Sequence, residues 1–134
     1  MTAPYKIQIR FSDCDMMGHV NNAVYLSYIE MARIHYFTDL FGADRDWKRN
    51  GILVRKNEIE YIKPVLFRDE ATIRAYITHI GNSSFVMAYE LHVGDEIYTK
   101  AQSVLVYFNS ETQKSTPIPT EFKVQLEKLL ELKK

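Results

Sequence analysis

The chain has 134 residues, enough for one domain built on one core. With 46% apolar and 25% charged residues it has the balance of an ordinary globular protein. Its 17 basic against 17 acidic residues leave none of the cationic excess that a general polyanion binder needs, so no nucleic-acid partner is expected. A single cysteine, Cys14, rules out an intrachain disulfide and a cysteine-rich metal site.

Met1-Thr2-Ala3-Pro4 runs straight into alternating residues, without the charged head and apolar run of a signal peptide. No stretch approaches the ~18 apolar residues of a membrane span. The expectation is a cytoplasmic chain, folded over 1–134 as one domain.

Residues 5–11 alternate, with Tyr5, Ile7, Ile9 and Phe11 on one side, as a half-buried strand does. Residues 12–21 read as a loop. From about Asn22 to Phe41 the pattern becomes helical, with Asn21 or Asn22 as N-cap and Gly42 just past the end. This helix is apolar over most of its circumference, leaving a narrow polar stripe of Ser27, Glu30 and Arg33, which predicts that other structure wraps it. Strand signals follow over Ile52 to Lys63, 70–80, 84–93 and 96–108, with Gly94-Asp95 as a two-residue hairpin turn. Thr120 is placed to cap a short last helix whose apolar face is Phe122, Leu126, Leu129 and Leu130. Strand, long helix and a run of antiparallel strands predict an α+β domain, one sheet curled around one buried helix. The sheet's exposed edges invite pairing, so a dimer is a natural solution.

The segment Arg10-Phe11-Ser12-Asp13-Cys14-Asp15-Met16-Met17-Gly18-His19-Val20-Asn21-Asn22 packs two carboxylates and an imidazole between a strand and a helix start. A helix start offers unpaired N–H groups and a partial positive charge, which suit a developing oxyanion. A carboxylate a few residues upstream can act on the same carbon. Thioester hydrolysis asks for this pair of features. Rival readings fail on spacing. Asp13, Asp15 and Gly18 match the start of an EF-hand loop, but its twelfth position would be Val24 rather than a bidentate Glu. Asp13, Asp15 and His19 are conceivable zinc ligands without an H-E-x-x-H or a cysteine pair to support them. No G-x-S-x-G elbow is present.

The run D-x-D-x-x-G-H-V-N-N, followed by Tyr25, Tyr28, Glu30, Ala32 and Arg33, resembles the hotdog-fold thioesterases of the 4-hydroxybenzoyl-CoA thioesterase type. Within them it is most similar to the bacterial acyl-CoA thioesterase branch associated with the Tol–Pal cell-envelope system. Glu60-Tyr61 through Pro64 to Asp69, Tyr89-Glu90 and Ala101 to Val106 look like the family's later strands. The resemblance implies a hotdog fold. It implies that Asp15, the second aspartate of D-x-D, is the catalytic carboxylate, and that the carbonyl-polarising amide belongs to Asn22. His19 stands where the Tol–Pal-associated branch has a histidine, whereas the 4-hydroxybenzoyl-CoA enzyme differs there. It either orients substrate or satisfies a loop hydrogen bond. Gly18 and Tyr25 are the expected substrate contacts, Gly18 through a backbone conformation that other residues dislike and Tyr25 as a pocket wall.

The remaining polar residues read more plainly. Asp13 is structural, bonding loop amides. Cys14 lies between two carboxylates that raise its pKa and argue against a nucleophile. Glu30 and Arg33 are spaced to pair with each other or with Arg10. Lys56, Lys63, Arg68, Arg74 and Lys100 are the cations available to coenzyme A phosphates. The expected activity is hydrolysis of a coenzyme A or acyl-carrier-protein thioester, with Asp15 as nucleophile or general base and no metal or redox cofactor implied. The expected assembly is a homodimer or dimer of dimers. A non-catalytic acyl-binding or scaffold protein is the alternative. A hydratase is disfavoured, because its Asp-x₄-His spacing is absent.

Overall fold

The computed structural model describes residues 2–130. In chain order these form β1 (Tyr5–Lys6), a 3₁₀ turn (Phe11–Asp13), α1 (Val24–Phe41), β2 (Asn50–Tyr61), β3 (Ala71–Ile80), β4 (Ser84–Val93), β5 (Glu96–Asn109), β6 (Lys114–Ser115) and α2 (Thr120–Glu127). The sheet runs β1-β3-β4-β5-β2, with β6 on β5, and every pairing is antiparallel. This is the expected α+β arrangement.

Alternation decides which face of the sheet meets the helix. Ala71, Ile73, Ala75 and Ile77 of β3, with Phe85, Met87, Tyr89 and Leu91 of β4, are buried on one side. Their neighbours along each strand are less buried and face outward. Helix α1 lies on the inner face against β3, where buried Ala32 and the small Ala71 and Ala75 allow close approach. Gly94 takes φ +63, as a tight turn between β4 and β5 requires.

The far end of α1 is closed by aromatic rings. Phe41 stacks on Phe122 of α2 at 4.3 Å between centroids, and Trp47 stacks on Phe37 at 5.7 Å. The Arg45 guanidinium sits 4.8 Å from the Trp47 ring and 5.0 Å from the Phe122 ring. This plug ties α2 to α1 and leaves the other end of α1 for the loop that precedes it.

Three sequence expectations need correction. The first strand stops early. Phe11 does not point inward but is 82% exposed, because the Arg10 N–H turns to the Asp13 carboxylate and starts the 3₁₀ turn. Thr120 opens α2 rather than capping it; Pro119 holds the cap position and no side chain bonds there. The long helix is covered on one face only. Leu26, Met31 and Ile34 remain exposed, Ile34 at 51%, because the sheet's last strand, β2, does not close over them.

Phe85 is fully buried between Phe37 and Phe122. Phe85→Ala should lower unfolding free energy by about 3–5 kcal/mol, read from the midpoint of urea denaturation.

Candidate active site

The loop before α1 is a small antiparallel hairpin of its own. Cys14 bridges to Val20, the Asp15 N–H bonds the His19 carbonyl at 2.8 Å, and the Gly18 N–H bonds the Asp15 carbonyl at 3.1 Å. Gly18 takes φ +78, which an L side chain rarely adopts, and this closes the turn. A second line of bonds fastens the loop to the chain after β2. His19 bridges to Leu66, and the Val20 N–H reaches the Val65 carbonyl at 2.8 Å.

The two aspartates have different surroundings: Asp13 ends the 3₁₀ turn and is buried, whereas Asp15, beyond the extended Cys14, is exposed at the loop's own turn. Asp13 points in and is 4% exposed. Its Oδ2 accepts the Tyr28 hydroxyl at 2.8 Å and the Arg10 N–H at 3.0 Å. Burial alone would raise its pKa, but these bonds and the Arg10 guanidinium outweigh it and hold the carboxyl below the ordinary range. The Tyr28 hydroxyl is pushed well up, by burial and by its carboxylate partner. Burial, then Asp13 and Asp15, raises the Cys14 thiol.

Asp15 is exposed. Its Oδ1 accepts the Met17 N–H at 2.9 Å and the His19 N–H at 3.2 Å, which fixes the carboxylate over its own turn. Among the described residues, Oδ2 accepts no hydrogen bond.

The cap position of α1 is Ala23, with no side-chain cap bond, rather than Asn21 or Asn22 as expected; Asn21 instead ties the turn that leads into the helix. Its Oδ1 accepts the Ala23 N–H at 3.0 Å and its carbonyl accepts the Val24 N–H at 2.9 Å. The Asn21–Asn22 peptide is trans, so the Asn22 N–H points opposite to the Asn21 carbonyl, away from the helix. Among the described residues that N–H has no acceptor. The Asn22 carbonyl accepts the Tyr61 hydroxyl at 3.1 Å.

Asp15, His19, Asn22 and Tyr25 line one crevice of about 180 Å³, joined by Val20, Tyr61, Ile62, Lys63 and Pro64. Four of the five residues expected at a site therefore meet. Gly18 does not line the crevice; it shapes the turn that aims Asp15 and His19. Tyr25 is buried, and its hydroxyl accepts the Val65 N–H at 3.1 Å. The wall from Tyr61 to Pro64 was not expected at the site, apart from Lys63 as one of several cations. Its signal was the proline that follows β2, three residues after Tyr61. The anticipated ion pairs of Glu30 and Arg33 are not formed. Arg33 donates to the Tyr89 hydroxyl at 2.9 Å, and Arg10 pairs with Asp13 at 3.5 Å. Asp13, Asp15 and His19 do not converge as ligands; among the described residues no group of three such side chains could hold a metal ion.

The profile of the thioesterase-like superfamily matches residues 9–126. The chain belongs to the thioesterase-like superfamily. A thioesterase of Thermus thermophilus, crystallised with coenzyme A and zinc, shares 32% identity at a TM-score of 0.83, over 94% of this chain and 92% of that one. The uncharacterized protein YsmA of Bacillus subtilis (strain 168) is 31% identical over 123 residues, 90% of this chain and 82% of its own length. Slr0204, a 1,4-dihydroxy-2-naphthoyl-CoA thioesterase from Synechocystis, shares the fold at 18% identity, with a TM-score of 0.83 over 94% of this chain and 98% of that one. The hotdog fold of thioesterases is thus the fold of this chain.

Because Asp13 has a lowered folded pKa, its contribution to stability is full above the unfolded value near ~3.9 and is lost as pH falls through the folded value. Asp13→Asn should be less stable than wild type at pH 7 by roughly 1.5–3 kcal/mol. That gap should close in urea titrations taken progressively below pH 4, and a gap constant with pH would contradict the assignment.

Proposed function

We propose that the chain hydrolyses acyl-coenzyme A thioesters to a free acid and coenzyme A, with an acyl carrier protein as the other candidate bearer of the acyl group. One observation carries the proposal. The Asp15 carboxylate, with Oδ2 unengaged, and the unpaired Asn22 N–H at a helix start belong to the same crevice. The substrate carbonyl oxygen accepts from Asn22, where the helix end stabilises the growing negative charge. Asp15 attacks the carbonyl carbon to give an anhydride that water then opens, or it takes a proton from an attacking water. In either route the carbon–sulfur bond breaks and the coenzyme A sulfur leaves as thiolate. His19 orients the substrate from the loop and Tyr25 forms the floor; Lys63 also lines the crevice, its ammonium paired with Glu96, a pair that a phosphate-bearing arm would have to share. The D-x-D-x-x-G-H-V-N-N run supports membership of the Tol–Pal-associated branch. Coenzyme A chemistry supports a cytoplasmic location; among the described residues no helix is long and apolar enough to cross a membrane.

The working unit in this reading is a homodimer formed along β2. That strand has 12 residues, is unpaired along one side and contains no proline. Beside it lies a groove of about 670 Å³ lined by Ile34, Phe37, Trp47 and Val54. Glu30 and Arg33 also line it.

With a panel of acyl-CoA substrates and a thiol-reactive dye, wild type should release thiol. Asp15→Asn should lose at least ~10²-fold in kcat with an unchanged unfolding midpoint. No thiol release from any member would favour the non-catalytic acyl-binding alternative. Val54 is 42% exposed on the free strand, and Val54→Lys should shift the mass by light scattering from about twice 15.7 kDa to 15.7 kDa.

A further inference from the structure

Tyr61 closes β2, opposite Thr99 of β5. Its ring meets the Tyr25 ring edge-on, with centroids 5.0 Å apart and planes at 84°. The residue is 44% exposed, and its hydroxyl donates to the Asn22 carbonyl oxygen at 3.1 Å, across 39 residues of sequence. A phenylalanine would fill the same place against Tyr25, so packing alone leaves the hydroxyl unexplained.

Two peptide planes flank the Asn22 Cα, and they carry four polar groups. The Asn21 carbonyl accepts the Val24 N–H. The Ala23 N–H donates to Asn21 Oδ1. The Asn22 carbonyl takes the Tyr61 hydroxyl. The fourth group is the unpaired Asn22 N–H. The plane between Asn22 and Ala23 is therefore gripped at both ends, one grip being Tyr61. Without that hydroxyl the plane is held only at Ala23, and it can rock about that bond. A rocking plane changes ψ at Asn22 and tilts the neighbouring N–H away from a fixed aim. The direction of a donor matters more here than its presence, because an oxyanion is stabilised only by a dipole already aimed at it.

We infer that Tyr61 is a positioning residue, whose hydroxyl fixes the Asn22 peptide so that its N–H is aimed at the thioester carbonyl. The inference rests on the hydrolase reading proposed above. Tyr61 touches no reacting atom in this account. It acts through Asn22, and its bond links the sheet edge to the start of the helix.

The test is Tyr61→Phe, which keeps the ring and removes the bond. Loss of a whole oxyanion donor costs about 10²–10³ in kcat, and a misaimed donor costs less. The expected result is a fall in kcat of about 10-fold with KM changed less than about twofold, and an unfolding midpoint equal to wild type. A second readout follows the carbonyl itself. A ketone analogue of the substrate, with CH₂ in place of sulfur, should show its C=O infrared stretch displaced to lower frequency when bound to wild type. The displacement should be smaller in Tyr61→Phe. A variant with wild-type kcat, or with an equally displaced C=O stretch, overturns the inference while the hydrolase reading stands. So does a fall in activity that tracks a fall in stability. Wild type inactive on every thioester overturns the hydrolase reading, and the inference falls with it.

Discussion

The bond between the buried Asp13 carboxylate and the Tyr28 hydroxyl is the joint on which the candidate site depends. It fastens the loop before α1 to the second turn of that helix. Asp13 is held inward at the end of the 3₁₀ turn, whereas Asp15 accepts the Met17 and His19 amides of its own turn and stays exposed. The spacing D-x-D thus has a mechanical meaning. One carboxylate anchors the loop from inside, and the next-but-one is left exposed at the crevice. A carboxylate at 4% exposure is tolerable only because it is met by a hydroxyl, an amide and a guanidinium.

The two ends of α1 are built for different tasks. At its C-terminal end, rings from α1, the following loop and α2 stack around Arg45 and make the packing dense. At its N-terminal end the contacts are directional hydrogen bonds, and the crevice remains open. Aromatic packing fixes the helix axis; the polar bonds then fix angles at the site to within the tolerance that hydrogen-bond geometry sets.

Much of the fold was legible from period alone. Ala71, Ile73, Ala75 and Ile77 alternate in sequence and are buried in the structure, and the hairpin at Gly94-Asp95 follows from glycine's freedom at positive φ. Four residues that share the crevice were legible as one motif, because a strand, a tight turn and a helix start follow one another within the same short segment. What escaped was the competition of side chains for partners. Phe11 fits an alternating pattern, yet Asp13 takes the Arg10 amide and swings it out. Glu30 and Arg33 have the right helical spacing to pair, but Arg33 leans toward Tyr89, far along the chain. Tyr61 reaches the site only because the end of β2 meets the loop before α1 and the ring of Tyr25, and no local pattern encodes that neighbourhood. The breadth of the helix's apolar surface was visible, whereas the exposure of Leu26 and Ile34 depends on how far the sheet reaches around the helix.

The raised thiol of Cys14 has a practical side. A sulfhydryl kept protonated by partial burial and by two adjacent carboxylates is a poor nucleophile toward maleimides, disulfides and peroxides. The protein's only sulfhydryl should therefore react slowly with electrophilic dyes, which leaves the neighbouring exposed Met16 and Met17 as the loop's more oxidisable sulfurs.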